Sequence, residues 1–369
     1  VNSRFLVFVA IIQSILFFGH WLLYMSMVVL LEIPASPART GLAAVIALLS
    51  VSFVTASVLS FRSDTFPIRW YYRLAAVWLG LLHCLLLASL VGWLLLVTVQ
   101  IFTIEWPVRA IGLTVFAAGF LLALFALVRT YSPKVTRVTV GLLNLPPNWK
   151  GKRFVYISDL HLGHIRRERF AGRVVAAIDQ LAPEFVCIGG DLFDGTRINA
   201  ASLIQPLADL ARRREVFFVT GNHELFSVYD TFVGIVTAAG MKVLDNEKVE
   251  KDGLQLAGIS WPGSRRPDHM IATLAKMKLD PSRPTVLLVH SPDRLDIAAQ
   301  AGIALQISGH THRGQLWPFS LVADRVYHGF AYGLKKYKNM MVYTCSGTGT
   351  WGPPMRLGSP SEIVEITLT

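Results

Sequence analysis

Charge is scarce in this chain. Of 369 residues only 16% are Asp, Glu, Lys or Arg, while 53% are hydrophobic; ordinary soluble domains carry roughly a quarter charged residues. So little charge excludes a wholly soluble protein of this length, and part of the surface must face lipid. Cysteine is scarcer still. Cys84, Cys187 and Cys345 lie far apart in apolar runs, which excludes a disulfide framework or a thiolate metal site and reads as small buried hydrophobes suited to a reducing compartment. Acidic residues are outnumbered by basic ones, 24 to 35, for a net charge of +11. There is no nucleic-acid motif, basic tail or internal repeat, so no nucleic-acid partner is expected. The excess positive charge points to an anionic membrane surface or to phosphorylated ligands.

What is abundant is long apolar sequence. Four segments, Phe5 to Leu31, Gly41 to Phe61, Ala75 to Phe102 and Val108 to Val128, each reach the roughly 20 residues a helix needs to cross a bilayer. The first is too long for a removable signal peptide. Residues 1–129 are therefore expected to form a four-helix transmembrane anchor. Arg62, Arg69 and Arg73 lie between the second and third segments, and Arg129, Lys134 and Arg137 follow the fourth, against Arg39 and Arg109 alone in the other loops. The positive-inside rule then places both ends of the chain, and the domain that follows, in the cytoplasm, as a multi-pass protein of the inner membrane. His20 and His83 fall inside the apolar segments with no acidic partner there, which favours packing over an ion pathway.

Residues 130–150 turn polar, with Ser132-Pro133 and Pro146-Pro147 as breakers, and are expected to form a linker with a short strand at Val135 to Val140. From 151 to 369 strand-like runs alternate with helical stretches, the pattern of an α/β domain. Strands are expected at Phe154 to Ser158, Phe185 to Ile188, Val216 to Val219, Leu254 to Ile259, Val286 to Val289, Leu305 to Ile307, Met341 to Thr344 and Ile363 to Leu368. Helices are expected at Arg169 to Leu181, Ala200 to Arg213, Tyr229 to Ala239 and Asp293 to Ala301.

Five of these strands end in chemistry. They are followed by Asp159-x-His161, Gly190-Asp191-x-x-Asp194, Gly221-Asn222-His223-Glu224, His290 and Gly309-His310-x-His312. Alternation puts Asp159 and His161 on one face if the chain stays extended there. Carboxyl ends of strands in open α/β sheets are where ligands bind. Carboxylate, imidazole and amide oxygen suit borderline and hard divalent ions. Two carboxylates, one asparagine and four histidines exceed the needs of one ion, so two ions sharing a carboxylate are expected. Such a pair activates water and clamps a phosphoryl group during in-line attack. His223 is left over as a proton donor or charge stabiliser at the leaving oxygen.

The same ordered set resembles the calcineurin-like metallophosphoesterase superfamily over residues 151 to 369, with every ligand position of its motif filled. The resemblance implies two mixed sheets flanked by helices. It implies that Asp159, His161, Asp191 and His312 hold one metal, that Asp191, Asn222, His290 and His310 hold the other, and that His223 is the catalytic histidine. Manganese is the first expectation for both ions, with zinc, iron or magnesium as alternatives. The ending Gly347-Thr348-Gly349-Thr350-Trp351-Gly352-Pro353-Pro354-Met355-Arg356 looks like a membrane-anchored branch, similar in part to the pyrophosphatases that cleave UDP-2,3-diacylglucosamine in lipid A synthesis.

The expected function is hydrolysis of a phosphoester or pyrophosphate bond in a lipid-linked or amphiphilic substrate at the cytoplasmic leaflet. Rival readings are a phosphodiesterase of soluble nucleotides, a metal-free binding module, and a transporter with a regulatory hydrolase domain. Asp194 and Glu224 read as partners orienting histidines or as turn residues. His164, Arg166, Arg167 and Arg169 read as phosphate contacts or a solvated face, and Arg212 to Arg214 as cations complementing a helix end. Trp317, Phe319, Tyr327, Phe330, Tyr332, Lys335, Lys336, Tyr337 and Lys338 read as a lipid-contacting loop or a packed flap.

Overall fold

A computed structural model of the chain describes residues 3–225 and 229–369. The chain divides into two compact units. One runs to Val128 and includes Gly352–Met355; the other comprises Arg129–Trp351 and Arg356–Thr369.

The first unit has four helices long and apolar enough to span a membrane: α1 (Ser3–Leu30), α2 (Pro37–Ser60), α3 (Phe66–Ile101) and α4 (Val108–Val128). Large apolar side chains such as Leu48, Leu94 and Leu121 point outward, while small residues such as Ala76, Ala88, Ala123 and Ala126 are buried. That inversion is what association in lipid requires, because small residues let backbones approach. At Gly112 a Cβ would run into the backbone carbonyl of Leu30, so only glycine permits α4 to lie this close to α1. Polar side chains are used inside the bundle. His20 Nδ1 sits 2.7 Å from Leu16 O, its Nε2 accepts from Trp78 Nε1 at 2.9 Å, and Ser26 Oγ accepts from Trp93. Helix α3 begins at Phe66, nine residues before the apolar run that starts at Ala75. Arg69 and Arg73 thus lie on its first turns rather than in a loop. Hydropathy marks where a helix is apolar, not where it starts, and here Pro67 opens it.

The second unit is built on two six-stranded sheets. The first sheet takes β1 (Lys134–Val140), β2 (Arg153–Ile157), β3 (Val186–Ile188), β4 (Val216–Phe218), β5 (Lys242–Val243) and β12 (Glu362–Leu368), in the order β1-β12-β2-β3-β4-β5. The second takes β6 (Glu247–Lys251), β7 (Leu254–Ile259), β8 (Thr285–Val289), β9 (Leu305–Ser308), β10 (Gly333–Tyr337) and β11 (Met340–Thr344), in the order β10-β11-β9-β8-β7-β6. Both sheets are mixed: β2 to β5 run parallel, as do β7, β8, β9 and β11, while β12 is antiparallel to β2 and the edges β6 and β10 are antiparallel to their neighbours.

The central strands are apolar throughout because both faces are covered, yet period two still sorts their residues. Phe154 and Tyr156 of β2, with Val286 and Leu288 of β8, pack in the layer between the sheets. Val155 and Ile157 instead pack outward with α5 (Glu168–Leu181), α6 (Ala200–Leu203), α7 (Gln205–Ala211) and α8 (Tyr229–Ala238). Leu287 and Val289 pack outward with α10 (Pro267–Lys276) and α11 (Leu295–Gln300). Two further short helices, α9 (Trp261–Arg265) and α12 (Phe319–Val326), follow β7 and β9.

The expected linker carries structure of its own. Its strand β1 pairs in parallel with β12 along seven residues, and Trp149 is buried with its indole N–H donated to Lys251 O. The short strand expected at Val135 to Val140 is thus present as edge strand β1. The helix expected at Ala200 to Arg213 is two helices, with Pro206 in the first turn of the second. All three cysteines are free and buried, Cys187 and Cys345 in the layer between the sheets.

Candidate metal centre

The five sequence pieces meet at the carboxyl ends of the strands. Asp159 and His161 follow β2, Asp191 follows β3, Asn222 and His223 follow β4, His290 follows β8, and His310 and His312 follow β9. Among the described residues three sets have ligand atoms within 4.8 Å of one another: Asp159, His161 and His312; His161, Asp191 and His223; Asp191, His290 and His310. Asp191 Oδ2 is 3.1 Å from His290 Nε2 and 3.9 Å from both His161 Nε2 and His223 Nε2. Asp159 Oδ1 is 3.5 Å from His312 Nε2. Asn222, in the loop after β4, has its Oδ1 buried and without a hydrogen-bond partner.

The chain does not reach this arrangement by staying extended, as strand alternation would have it. Asp159, His161, Asp191, His310 and His312 have φ of 53°, 48°, 49°, 67° and 47°. Such left-handed conformations cost about 1–3 kcal/mol each for residues other than glycine and persist only where surroundings enforce them. The enforcement is visible. Asp159 N donates to Gly190 O and His161 N to Asp191 O, tying the first two loops. Glu224, wholly buried, accepts from the N–H groups of Asp191 (3.0 Å), Leu192 (2.9 Å), Phe193 (3.2 Å) and Gly221 (2.7 Å). At Gly221 a Cβ would collide with the carboxylate of Asp191, so the third loop can pass beneath the second only as glycine. Across the two sheets, His310 N donates to both oxygens of Asp159, and His290 Nδ1 donates to Gly189 O at 2.7 Å.

Similarity to known proteins bears on this geometry. The profile of the calcineurin-like phosphoesterase family matches residues 152–314. A metallophosphoesterase of Aquifex aeolicus is 31% identical over 253 residues, covering 67% of this chain and 96% of the relative. The chain belongs to the calcineurin-like metallophosphoesterases. A Helicobacter pylori metallophosphoesterase is 32% identical over 240 residues, covering 64% of each chain. A Danio rerio relative named as a transmembrane protein with a metallophosphoesterase domain is 33% identical over 262 residues, 67% of this chain and 60% of the relative. The chain thus spans less than two thirds of the length of several of the relatives it matches.

The electrostatics of this metallophosphoesterase fit divalent metal. Burial holds His161 and His312 well below the ordinary histidine range and His310 down at about 3, so their rings are neutral and keep a lone pair for coordination. His161 Nε2 and His312 Nε2 face each other at 3.1 Å, and His161 Nδ1 and Asn222 Oδ1 are buried without hydrogen-bond partners. Buried atoms of this kind want a partner. Burial also pushes Asp159 up to about 6, a penalty that a cation in the centre relieves. Asp191 and His290 form a coupled pair: burial opposes the charge on each, and their mutual attraction overcomes it, holding Asp191 low and lifting His290 to about 10. His223 Nδ1 lies 2.8 Å from Asp194 O, a carbonyl that can only accept. That fixes the proton on Nδ1 and leaves Nε2 toward Asp191.

Some participants were not assigned a role by sequence. Arg356 is fully buried; its Nη2 donates to Gly349 O at 2.7 Å and lies 3.2 Å from His312 Nδ1, and its Nη1 donates to His312 O. Ser158 Oγ donates to Asp159 Oδ2. Trp261 packs against His290 and His310, and Trp351 against His223. None stands in a distinctive spacing, though Arg356 belongs to the ending that resembles the membrane-anchored branch. Asp194 accepts from Thr196 and from His164 N. Of the residues after the first motif, His164 and Arg166 are buried rather than solvated, and Arg166 lies over the Phe170 ring. Arg212 and Arg213 pair with Asp209 and Asp179 at the end of α7.

Proposed function

We propose that this chain is a membrane-anchored hydrolase of phosphoester or pyrophosphate bonds that uses two divalent ions. The observation that carries the reading is the position of Asp191, whose carboxylate belongs to two of the three ligand sets. Asp159, His161, Asp191 and His312 would hold one ion, and Asp191, Asn222, His290 and His310 the other. Such ions supply Lewis acidity and an activated water at neutral pH. The chain's own groups do the rest. Glu224 fixes the loop of Asp191 through four backbone N–H groups. His223, oriented by Asp194 O, delivers a proton from Nε2 to the leaving oxygen.

The substrate class follows from the rest of the chain. Four membrane-spanning helices hold the domain at a bilayer, and next to the His312 turn, α12 exposes Phe319, Leu321, Val322 and Val326, with Trp317 just before it. Apolar side chains presented to water in this way suit an acyl chain or a lipid surface. We therefore assign an amphiphilic phosphoester whose phosphorus lies near the headgroups, the cytoplasmic leaflet being favoured by the cationic loops. Cleavage of a nucleotide-diphosphate lipid falls within this class.

The test is a panel of lipid-linked and free nucleotide phosphoesters given to the detergent-purified full chain with manganese, together with metal analysis. The expected result is close to two ions per chain and fastest turnover on a lipid-linked compound. Free nucleotides outrunning every lipid would overturn the substrate class, and a metal-free, inactive protein would overturn the hydrolase.

A further inference from the structure

Away from the metals' ground, the second unit holds another cavity, of about 490 Å³, lined by Arg129, Lys134, Arg137, Arg313, Arg356 and Tyr332. That volume falls within the range of small-ligand sites, roughly 300–1,000 Å³. Among the described residues no carboxylate lines it. Two stand behind its wall. Glu365 pairs with Arg137 at 2.9 Å and is shared with Arg153, and Glu362 accepts from Thr136 and Tyr332. Among the described residues, neither forms an ion pair with Lys134, Arg313 or Arg356. Arg356 spends its donors on backbone carbonyls, the Ser359 hydroxyl and His312, with no acid among its hydrogen-bond partners. Arg313 lies 4.3 Å over the Tyr332 ring, a contact that holds a guanidinium in place without neutralising it.

A concave cluster of cations in excess of its acids, with arginine forks among them, is built for a phosphate group. It is not the reaction site. Arg356 meets His312 on its Nδ1 side, whereas His312 Nε2 faces Asp159 and His161. The chain itself points to the source of the phosphate: Arg129 is the first residue after the membrane-spanning helix α4, which ends at Val128. One wall of the cavity therefore begins where the chain leaves the apolar part of a bilayer, in the zone of headgroup phosphates. We infer that this cavity is a non-catalytic site for the phosphate of an anionic phospholipid, set beside the hydrolytic centre and independent of whether that centre is loaded.

The test is calorimetric titration of the full chain in neutral detergent with dioctanoyl phosphatidic acid, with dioctanoylglycerol and with inorganic phosphate. Each is run on the protein as purified and again after chelation, so that phosphate held by metals drops out. The phosphatidic acid should bind in both states, inorganic phosphate at least about tenfold more weakly, and dioctanoylglycerol not measurably. Lys134→Ala with Arg313→Ala should weaken phosphatidic acid at least about tenfold, and Lys134→Gln with Arg313→Gln should do the same if the alanine pair fails to fold. Arg212→Ala with Arg213→Ala, which removes as much charge from a distant helix end, should bind as wild type. Undiminished binding by the cavity variants, equal loss in the distant variant, or equal binding of dioctanoylglycerol would each overturn the site. Inorganic phosphate binding as tightly as the lipid would overturn the phospholipid as its ligand.

Discussion

The two sheets of the catalytic unit contribute different chemistry to one centre. The loops after β2, β3 and β4 bring both carboxylates, the asparagine and His161 and His223; those after β8 and β9 bring imidazoles alone. The first-sheet loops are strapped together by Glu224 and by backbone bonds. Those of the second sheet are held largely from across the gap, His290 by Gly189 O and His310 by Asp159. One sheet therefore fixes the negative charge, and the other closes imidazoles onto it. Two of the three ligand sets need residues from both sheets, so the centre is complete only when the layer between them has packed.

The comparison breaks hardest at Asp191. Asp191→Ala removes the carboxylate common to two ligand sets and should lower hydrolysis of an aryl phosphoester about 1,000-fold, roughly 4 kcal/mol of barrier, with loss of bound metal. His310→Ala, on the second sheet, takes one imidazole from a single set and should cost less and leave part of the metal. Activity of Asp191→Ala above a tenth of wild type, or equal losses in the two variants, would show that the first-sheet carboxylate is not the shared element.

Next in size is His223→Ala, expected to keep metal and lose about 100-fold in rate, the usual scale for a positioned acid. Esters with good leaving groups should suffer less, because they need no proton. The same loss for good and poor leaving groups would leave His223 only a charge-stabilising role.

The difference between the sheets also explains what sequence could show. Every residue of the centre sat in a short local motif after an apolar run, so Asp159 to His312 could be gathered without coordinates. Each such motif is a strand end with its turn, and both are local events. What remained hidden depends on contacts between distant segments. Glu224 reads in sequence as a partner orienting histidines or as a turn residue, whereas its four bonds go to backbone N–H groups of the loop about thirty residues earlier and of Gly221. Arg356 acquires meaning only through His312, 44 positions earlier. The polar edges β6 and β10 lack the alternation that betrays half-buried strands, and β5 has only two residues. The left-handed backbone at five centre residues runs against the extended geometry that alternation assumes, and tertiary bonding is what imposes it.

A smaller effect is expected where the first sheet's strapping is loosened without touching a nitrogen or oxygen of the centre. Glu224→Gln keeps the shape of the side chain but turns one acceptor into a donor facing buried backbone N–H groups. Leaving such groups unsatisfied costs about 1–3 kcal/mol, so melting should fall by about 5 °C, with metal content lowered less than in Asp191→Ala. Unchanged melting would mean that the strap is dispensable.

The smallest effect on chemistry should come from the second sheet's exposed appendage. Helix α12 follows β9 and the His312 turn, and its Val322 and Val326, four residues apart on one face, are 56% and 59% exposed. Nothing in the chemistry of phosphoryl transfer calls for apolar groups in water there, whereas an acyl chain or bilayer surface gains from covering them at about 25 cal/mol per Å². Val322→Ser with Val326→Ser should therefore leave turnover of a small soluble ester within about twofold of wild type, while lowering turnover of a lipid-linked ester in vesicles about fivefold, near 1 kcal/mol. Equal effects on both substrates would mean that α12 supports the His312 turn instead of the substrate. No effect on either would deprive the amphiphile reading of its support in the catalytic unit and leave the membrane-spanning helices as its only basis.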